Sequence, residues 1–315
     1  MEEKLDIITI GESLIELSTA QSLTTAQSLD KYYGGDTLTS AIAALRLGSK
    51  VGFISRIGMD CFRNYLLESW QEEGLDISHV KPVQGVNGLY MVSKTEDCSS
   101  KEFSFYRKKT AATNLSIEDI STDYIQNTSL LYATGITQSL SISAREAVKE
   151  AFKIAKENNV ITAYDPNFTS KIWTEEEARE AFDEITDYID ILFLNVKYDS
   201  KIVIDSDSMD NIIKYLWDKG ISTVIIKSST DKGYYVGSSG KIEFINFIND
   251  EVTDTTGSGD TFNGAVLHGI TSGMPVFKAV TLGAIAACLQ AKKIGAVKSI
   301  PYREEVYKIF KGQND

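Results

Sequence analysis

Short, nearly continuous apolar runs alternate along the chain with longer amphipathic stretches. The runs at 5–10, 51–57, 130–134, 160–164, 189–194 and 223–227 are rich in β-branched residues and show little polar alternation. That is the pattern of parallel strands covered on both faces. Helical periodicity fills 37–47, 62–73, 141–158, 175–188 and 209–219, and Ser143 with Glu146 offers a capping box near the start of the third. From Gly257 onward the pattern is almost wholly helical. Such repetition predicts βαβ units, a mostly parallel sheet and helices on both faces. Two segments break the rhythm. Residues 13–35 and 87–107 carry no helix pattern, and the second alternates loosely (LYMVS, EFSFYR) around a turn-like TEDCSSK. They read as a small β-sheet lid over one edge of a single domain spanning 1–315, against the plainer alternative of two surface insertions.

Composition narrows the functional classes. A chain of 315 residues with 43% hydrophobic and 24% charged residues can bury a large core. A net charge of −12 argues against nucleic acid or an anionic membrane as partner, since both need clustered Lys and Arg. Cys61, Cys98 and Cys288 have no CxxC spacing, so neither a disulfide framework nor a zinc site is indicated. No apolar run approaches the roughly 20 residues of a membrane span. The acidic N-terminus MEEKLDIITIG leads straight into a strand and reads as neither a signal nor a transit peptide, so a cytoplasmic location is expected.

The stretch DTTGSGDTFNGAVLHGI, residues 254–270, sets two glycines around a serine, an acid, and then a small-residue helix. It fits neither a Walker A loop nor a dinucleotide fingerprint, because no Lys follows at the right spacing and Phe262 takes the third glycine place. Gly257 and Gly259 allow a tight turn that points successive N–H groups into one concavity, and a helix start adds the positive end of its dipole. Asp260 would stand beside any anion held there. Phosphoryl transfer needs that combination of donors and base. A capped helix after a glycine turn satisfies the same residues, and local spacing does not choose between the two.

A wider comparison does choose. Asp254-Thr255-Thr256-Gly257-Ser258-Gly259-Asp260, with Gly264-Ala265, looks like the C-terminal DTxGAGD signature of the PfkB (ribokinase-like) sugar kinases. Tyr33-Gly34-Gly35-Asp36-Thr37-Leu38, about 220 residues upstream, is similar to their N-terminal GG signature, and VGFISRIGMD (51–60) resembles the glycine-and-Asp turn after the second strand. The resemblance implies an αβα sandwich with a mostly parallel central sheet and a β lid, ATP as donor, Mg²⁺ on its phosphates, and a small-molecule sugar or sugar acid as acceptor. It implies Asp260 as general base and the Gly257, Ser258 and Gly259 N–H groups as hydrogen-bond donors to the transferring phosphoryl group. Asp254 and Thr256 would be the candidate monovalent-cation (K⁺) site.

Within the family the chain looks most like 2-keto-3-deoxygluconate kinases, through Gly34-Gly35-Asp36-Thr37-Leu38, Phe105-Tyr106-Arg107 and Tyr164-Asp165-Pro166-Asn167-Phe168 with Trp173. The resemblance implies Gly34, Gly35, Thr39, Tyr90, Phe105, Arg107, Asp165 and Asn167 on the sugar side, and Asn195, Lys227, Ser229, Gly233, Gly257, Gly259 and Gly283 on the nucleotide side. Three departures fall at sugar positions: Thr39 for the family Asn, Thr169 for an Arg that helps hold the acid, and Phe105 for a Tyr. Tyr198 stands where the family NxxE motif has its acid, with Asp199 next to it as a candidate for the metal's water shell. These departures keep a fructokinase-like sugar kinase, and a sugar-binding pseudokinase, as alternatives. Unpaired lid edges suggest a homodimer formed through the lid.

Overall fold

The computed structural model describes residues 4–95, 100–204, 206, 208–246 and 252–312. Cys98 lies outside them. In chain order the elements are β1 Leu5–Ile10, β2 Leu14–Ser22, β3 Asp30–Gly34, α1 Asp36–Leu47, β4 Val51–Gly58, α2 Arg63–Glu73, β5 Val80–Val83, β6 Gly88–Lys94, β7 Lys101–Tyr106, α3 Thr122–Gln126, β8 Thr128–Thr134, α4 Gly135–Gln138, α5 Ile142–Glu157, β9 Ile161–Asp165, α6 Glu175–Asp183, β10 Ile191–Asn195, α7 Val196–Val203, α8 Met209–Asp218, β11 Thr223–Ser228, β12 Gly233–Ser238, β13 Lys241–Asn246, α9 Ser258–Thr271, α10 Val276–Ala291 and α11 Arg303–Gly312.

Nine strands form one sheet in the order β13-β12-β11-β10-β9-β8-β1-β4-β5. Strands β5 to β11 along that order run parallel, and β12 and β13 close one edge as antiparallel hairpins. Side chains alternate between two cores, as the two-residue period of a strand requires. Ile7, Phe53, Tyr132, Phe193 and Ile225 face α1, α9 and α10. Ile8, Ile54, Leu131, Leu192 and Val224 face α5, α6 and α8. The αβα sandwich is the architecture expected from the alternating runs.

The two segments without helical pattern form a second sheet, ordered β3-β2-β6-β7. Its outer pairs are antiparallel and β2 runs parallel to β6. Asn87 fastens its base: the side chain donates to the Gly58 carbonyl and to Asp60, and its own N–H bonds Asp60 Oδ2 at 2.7 Å.

Some boundaries differ from expectation for identifiable reasons. Helix α5 is capped by Ser141, whose hydroxyl accepts the Ala144 N–H, while Ser143 donates to the Leu115 carbonyl; the Ser143–Glu146 capping box does not form. A capping box does form at α6, between Thr174 and Glu177. The helix expected through residue 188 ends at Asp183, and a 3₁₀ turn, Thr186–Tyr188, then buries Ile185 and Ile189 on either side. Strands β5, β12 and β13 were not foreseen. They are short or lie at the sheet edge, and the half-exposed Lys241–Asn246 shows no apolar run.

His268 and Trp70 are structural, as expected. Trp70 is fully buried and meets Phe53 edge-on. His268 bridges Ser49 Oγ at 2.8 Å and the Tyr307 hydroxyl at 3.0 Å, and burial pushes its pKa from 6.5 down to about 4. The unfolded chain therefore binds this proton first as pH falls. The contribution is complete above pH 6.5 and is lost on acidification toward pH 4, a change on the order of 3 kcal/mol. Unfolding free energies measured across that range should show this slope in the native chain and not in His268→Gln.

Candidate active site

A cavity of about 1160 Å³ opens between the lid and the carboxyl ends of the central strands. Ligands of open α/β sheets bind at that end. Helix α1 supplies Asp36 and Thr39 to its floor, preceded by Gly35, and α9 supplies Asp260, preceded by Gly257. The lid supplies Tyr90, Phe105 and Arg107, and the loop after β9 supplies Asn167.

The start of α9 is built around Gly257, whose φ of +74° is the left-handed conformation that glycine adopts at least cost. The Ser258 N–H is taken by the Thr255 carbonyl at 3.1 Å, so it is not among the donors left to a ligand. Among the described residues, the N–H groups of Gly257 and Gly259 have no backbone partner. A Cβ added at Gly259 would meet nothing within 4 Å, which leaves room for an anion against the turn. Asp260 follows, open to the cavity. Burial pushes its carboxyl well above the usual carboxylate range, the charges of Asp36 and Asp165 push it further, and Lys227 opposes them. A raised carboxylate is a better proton acceptor when ionised.

The position of α9 is set by close packing. A Cβ at Gly264 would lie 2.1 Å from the Ser40 carbonyl of α1, and Ser40 Oγ donates to the Asp260 carbonyl at 2.9 Å. One turn beyond Asp260, Asn263 donates to the Tyr132 hydroxyl and to Asp165. Gly35, with φ of +130°, admits the Glu12 carbonyl where a Cβ would sit 2.3 Å away.

Two carboxylates without an assigned role in the sequence reading face the same cavity. Asp36 accepts from Thr134 at 2.5 Å and Asn167 at 3.4 Å through one oxygen, and its other oxygen has no partner among the described residues. Glu12 pairs with Arg107, keeps one oxygen without a partner among the described residues, and has its pKa raised by burial to about 7. Asp36 lies inside the quoted glycine signature, and Glu12 follows the end of β1, so the strand-end rule could have singled out both. Tyr90 donates to Glu16 at 2.5 Å, with Phe105 stacked on it and Gly34 beneath it. Thr39 reaches the cavity with a hydroxyl that has no partner.

Other expected site residues lie elsewhere. Asp165 does not line the cavity: its oxygens accept the Asn167 N–H, Lys227 and Asn263, so it shapes the loop rather than facing a sugar. Lys227 is engaged in turn, at 2.8 Å from Asp165 and 3.3 Å from Asn263. Gly283 packs against Val266 and Phe262 of α9, and Gly233 packs under Phe244, so both are packing glycines. Asn195 caps α7 through the Lys197 N–H, and Ser229 is exposed in the β11–β12 turn. Asp199 is buried and accepts the Phe168 and Asn195 N–H groups, which removes it from any metal's water shell. Asp254 and Thr256 bond each other, and the Lys101 ammonium lies 2.6 Å from Asp254.

The charge of Asp36 on Asp260 yields a pH prediction. As a base, Asp260 would have to be ionised, so activity would fall as pH drops through its raised pKa. Asp36→Asn removes one cause of the elevation, and the acid limb of kcat/KM against pH should move to lower pH. A limb that stays in place would belong to another group.

Comparison with known proteins agrees with this geometry. The model of the pfkB family carbohydrate kinases matches residues 4–303. The chain is 25% identical over 323 residues to a 5-dehydro-2-deoxygluconokinase of Clostridium perfringens, covering 100% of this chain and 95% of that protein. It is 27% identical over 317 residues to a 2-dehydro-3-deoxygluconokinase of Bacillus subtilis, covering 98% and 97%. A crystal structure of a putative ribokinase II from E. coli, in complex with ATP and Mg²⁺, superposes with a TM-score of 0.89 at 21% identity over 98% of this chain and 99% of that one. With a family model spanning nearly its whole length and the signature acid at the floor of its cavity, the chain belongs to the pfkB family of carbohydrate kinases.

Proposed function

We propose that the chain transfers the γ-phosphoryl group of ATP to a hydroxyl of 2-keto-3-deoxygluconate. The observation that carries this reading is one cavity with Asp260 at its floor and Arg107, Lys108, Lys109 and Lys171 around its lid side. A keto sugar acid brings hydroxyls for the base and a carboxylate for the cations. The names of the Clostridium and Bacillus relatives support the same class of acceptor. Asp36 and Glu12 each offer an oxygen with no partner, suited to accept sugar hydroxyl hydrogens. Asp260 takes the proton of the attacked hydroxyl, and the Gly257 and Gly259 N–H groups stabilise the moving phosphoryl group. Bound with the nucleotide, Mg²⁺ would supply neutralisation of phosphate charge. The nucleotide would lie toward the turn after β11, with Ser229, and the start of α7, with Asn195, both at the carboxyl ends of neighbouring strands. No helix among the described residues is long and apolar enough to cross a membrane, and we place the enzyme in the cytoplasm.

A fructokinase-like reading is favoured by two observations: Glu12 already pairs with Arg107, and Thr169 stands where a second Arg is expected. ADP release over a panel of keto acids, hexoses, pentoses and nucleosides separates the two. Turnover confined to neutral sugars or nucleosides would overturn the keto-acid assignment.

We further propose a homodimer through the lid, where Phe103, Phe105 and Tyr106 of β7 are exposed. Light scattering should give the mass of two chains, and a single-chain mass at micromolar concentration would contradict it.

A further inference from the structure

Asp254 opens the turn that leads to Asp260, and its side chain is only 3% exposed. One carboxylate oxygen accepts the Thr256 N–H at 3.0 Å and its hydroxyl at 2.7 Å. The other accepts the Gly295 N–H at 3.1 Å and faces the Lys101 ammonium at 2.6 Å. Lys101 is the first residue of β7, so this ion pair joins the lid to the residue that braces the turn. Glu16, buried on β2, also feels the Lys101 charge, and the pairing with Lys101 helps hold the Asp254 carboxyl below its usual range. A buried carboxylate left without such a partner is costly.

The oxygens that might have caged a free ion are already engaged. Gln290 Nε2 donates to the Thr256 carbonyl at 2.5 Å and to the Gly295 and Ala296 carbonyls at 3.4 Å. The Ser299 hydroxyl also donates to the Gly295 carbonyl. The residues expected to hold a monovalent metal ion therefore do not fit one while Lys101 is in place.

We infer that Lys101 is a tethered internal cation, a positioning residue that sets the turn at Gly257 through Asp254 and Thr256 and ties that geometry to lid position. It touches no reacting atom. The chain of contact runs from the ammonium to Asp254, from Asp254 to the Thr256 N–H, and from Thr256 to the adjoining Gly257. A lifted lid withdraws the charge, and the turn loses its brace. A free ion would sit in the body of the protein whatever the lid does, whereas a lysine on β7 cannot. The inference rests on reading this turn as the phosphoryl site.

The test deletes the ammonium and returns a cation in solution. Native chain, Lys101→Ala and Lys101→Met are assayed in choline buffer, and ammonium or potassium chloride is then titrated in at constant ionic strength. Both kcat and the thermal midpoint are read. The native chain should be indifferent to the added cation in both. Lys101→Ala should lose up to about 10²-fold in kcat, since misplacement far from the chemistry can cost that much. It should recover saturably with ammonium or potassium, and its midpoint should rise in parallel. Lys101→Met fills the space without charge and should lose kcat without recovery. Activation of the native chain by potassium, full kcat of Lys101→Ala in choline, or a Lys101→Ala protein indifferent to added cation in both readouts would each overturn the inference. Should no sugar be phosphorylated by any variant, the phosphoryl-site reading fails, and the midpoints alone still decide whether a cation replaces the lysine.

Discussion

Asp260→Asn is expected to lower kcat by about 10² to 10⁴-fold while leaving acceptor KM and the thermal midpoint nearly unchanged. Asn has the same shape, so little packing is lost. What disappears is the proton acceptor. The midpoint should rise slightly if it moves at all, because the change removes a charge that burial and two neighbouring carboxylates make costly. Initial-rate ADP release with purified variant and a thermal melt check both parts. An Asn variant within tenfold of native kcat would take Asp260 out of the base role.

Gly264→Ala should produce the second large effect, and through packing rather than chemistry. The new methyl would lie 2.1 Å from the Ser40 carbonyl and 2.9 Å from the Ala43 Cβ, so α9 must move away from α1. Overpacking of this kind costs about 1–3 kcal/mol. The displaced helix carries Asp260, and Ser40 is the residue that holds the Asp260 carbonyl, so kcat should fall together with stability. Denaturant midpoints and kcat measured on the same preparation test the coupling. A loss of stability with native kcat would show that the base does not depend on the α1–α9 contact.

The sandwich was legible in the sequence because buried parallel strands must be apolar on both faces, which makes runs such as 5–10 and 223–227 stand out. The edge hairpin β12–β13 was not, because Lys241–Asn246 mixes exposed and half-buried positions. Asp260 and its glycines were legible because an αL turn, an anion site and a helix start constrain neighbouring residues. The pairings of Glu12, Asp36 and Lys101 were not, for a common reason, although a strand end and the glycine signature mark the first two positions. Their roles depend on partners distant in sequence: Arg107 for Glu12, Thr134 for Asp36, Asp254 for Lys101. Spacing carries no trace of such pairs. The same blindness misplaced Lys227, whose sequence position suggested a nucleotide loop while its ammonium is bound to Asp165 and Asn263.

The central claim is that Asp260 acts on an anionic sugar held under a cationic lid. Its most direct test is kcat/KM for 2-keto-3-deoxygluconate and for fructose, side by side, in the native chain and in Arg107→Met. The account predicts a clear preference for the keto acid, and a loss of much of that preference in Arg107→Met, chiefly through KM for the acid. A native chain that prefers fructose, with a preference untouched by Arg107→Met, would contradict it.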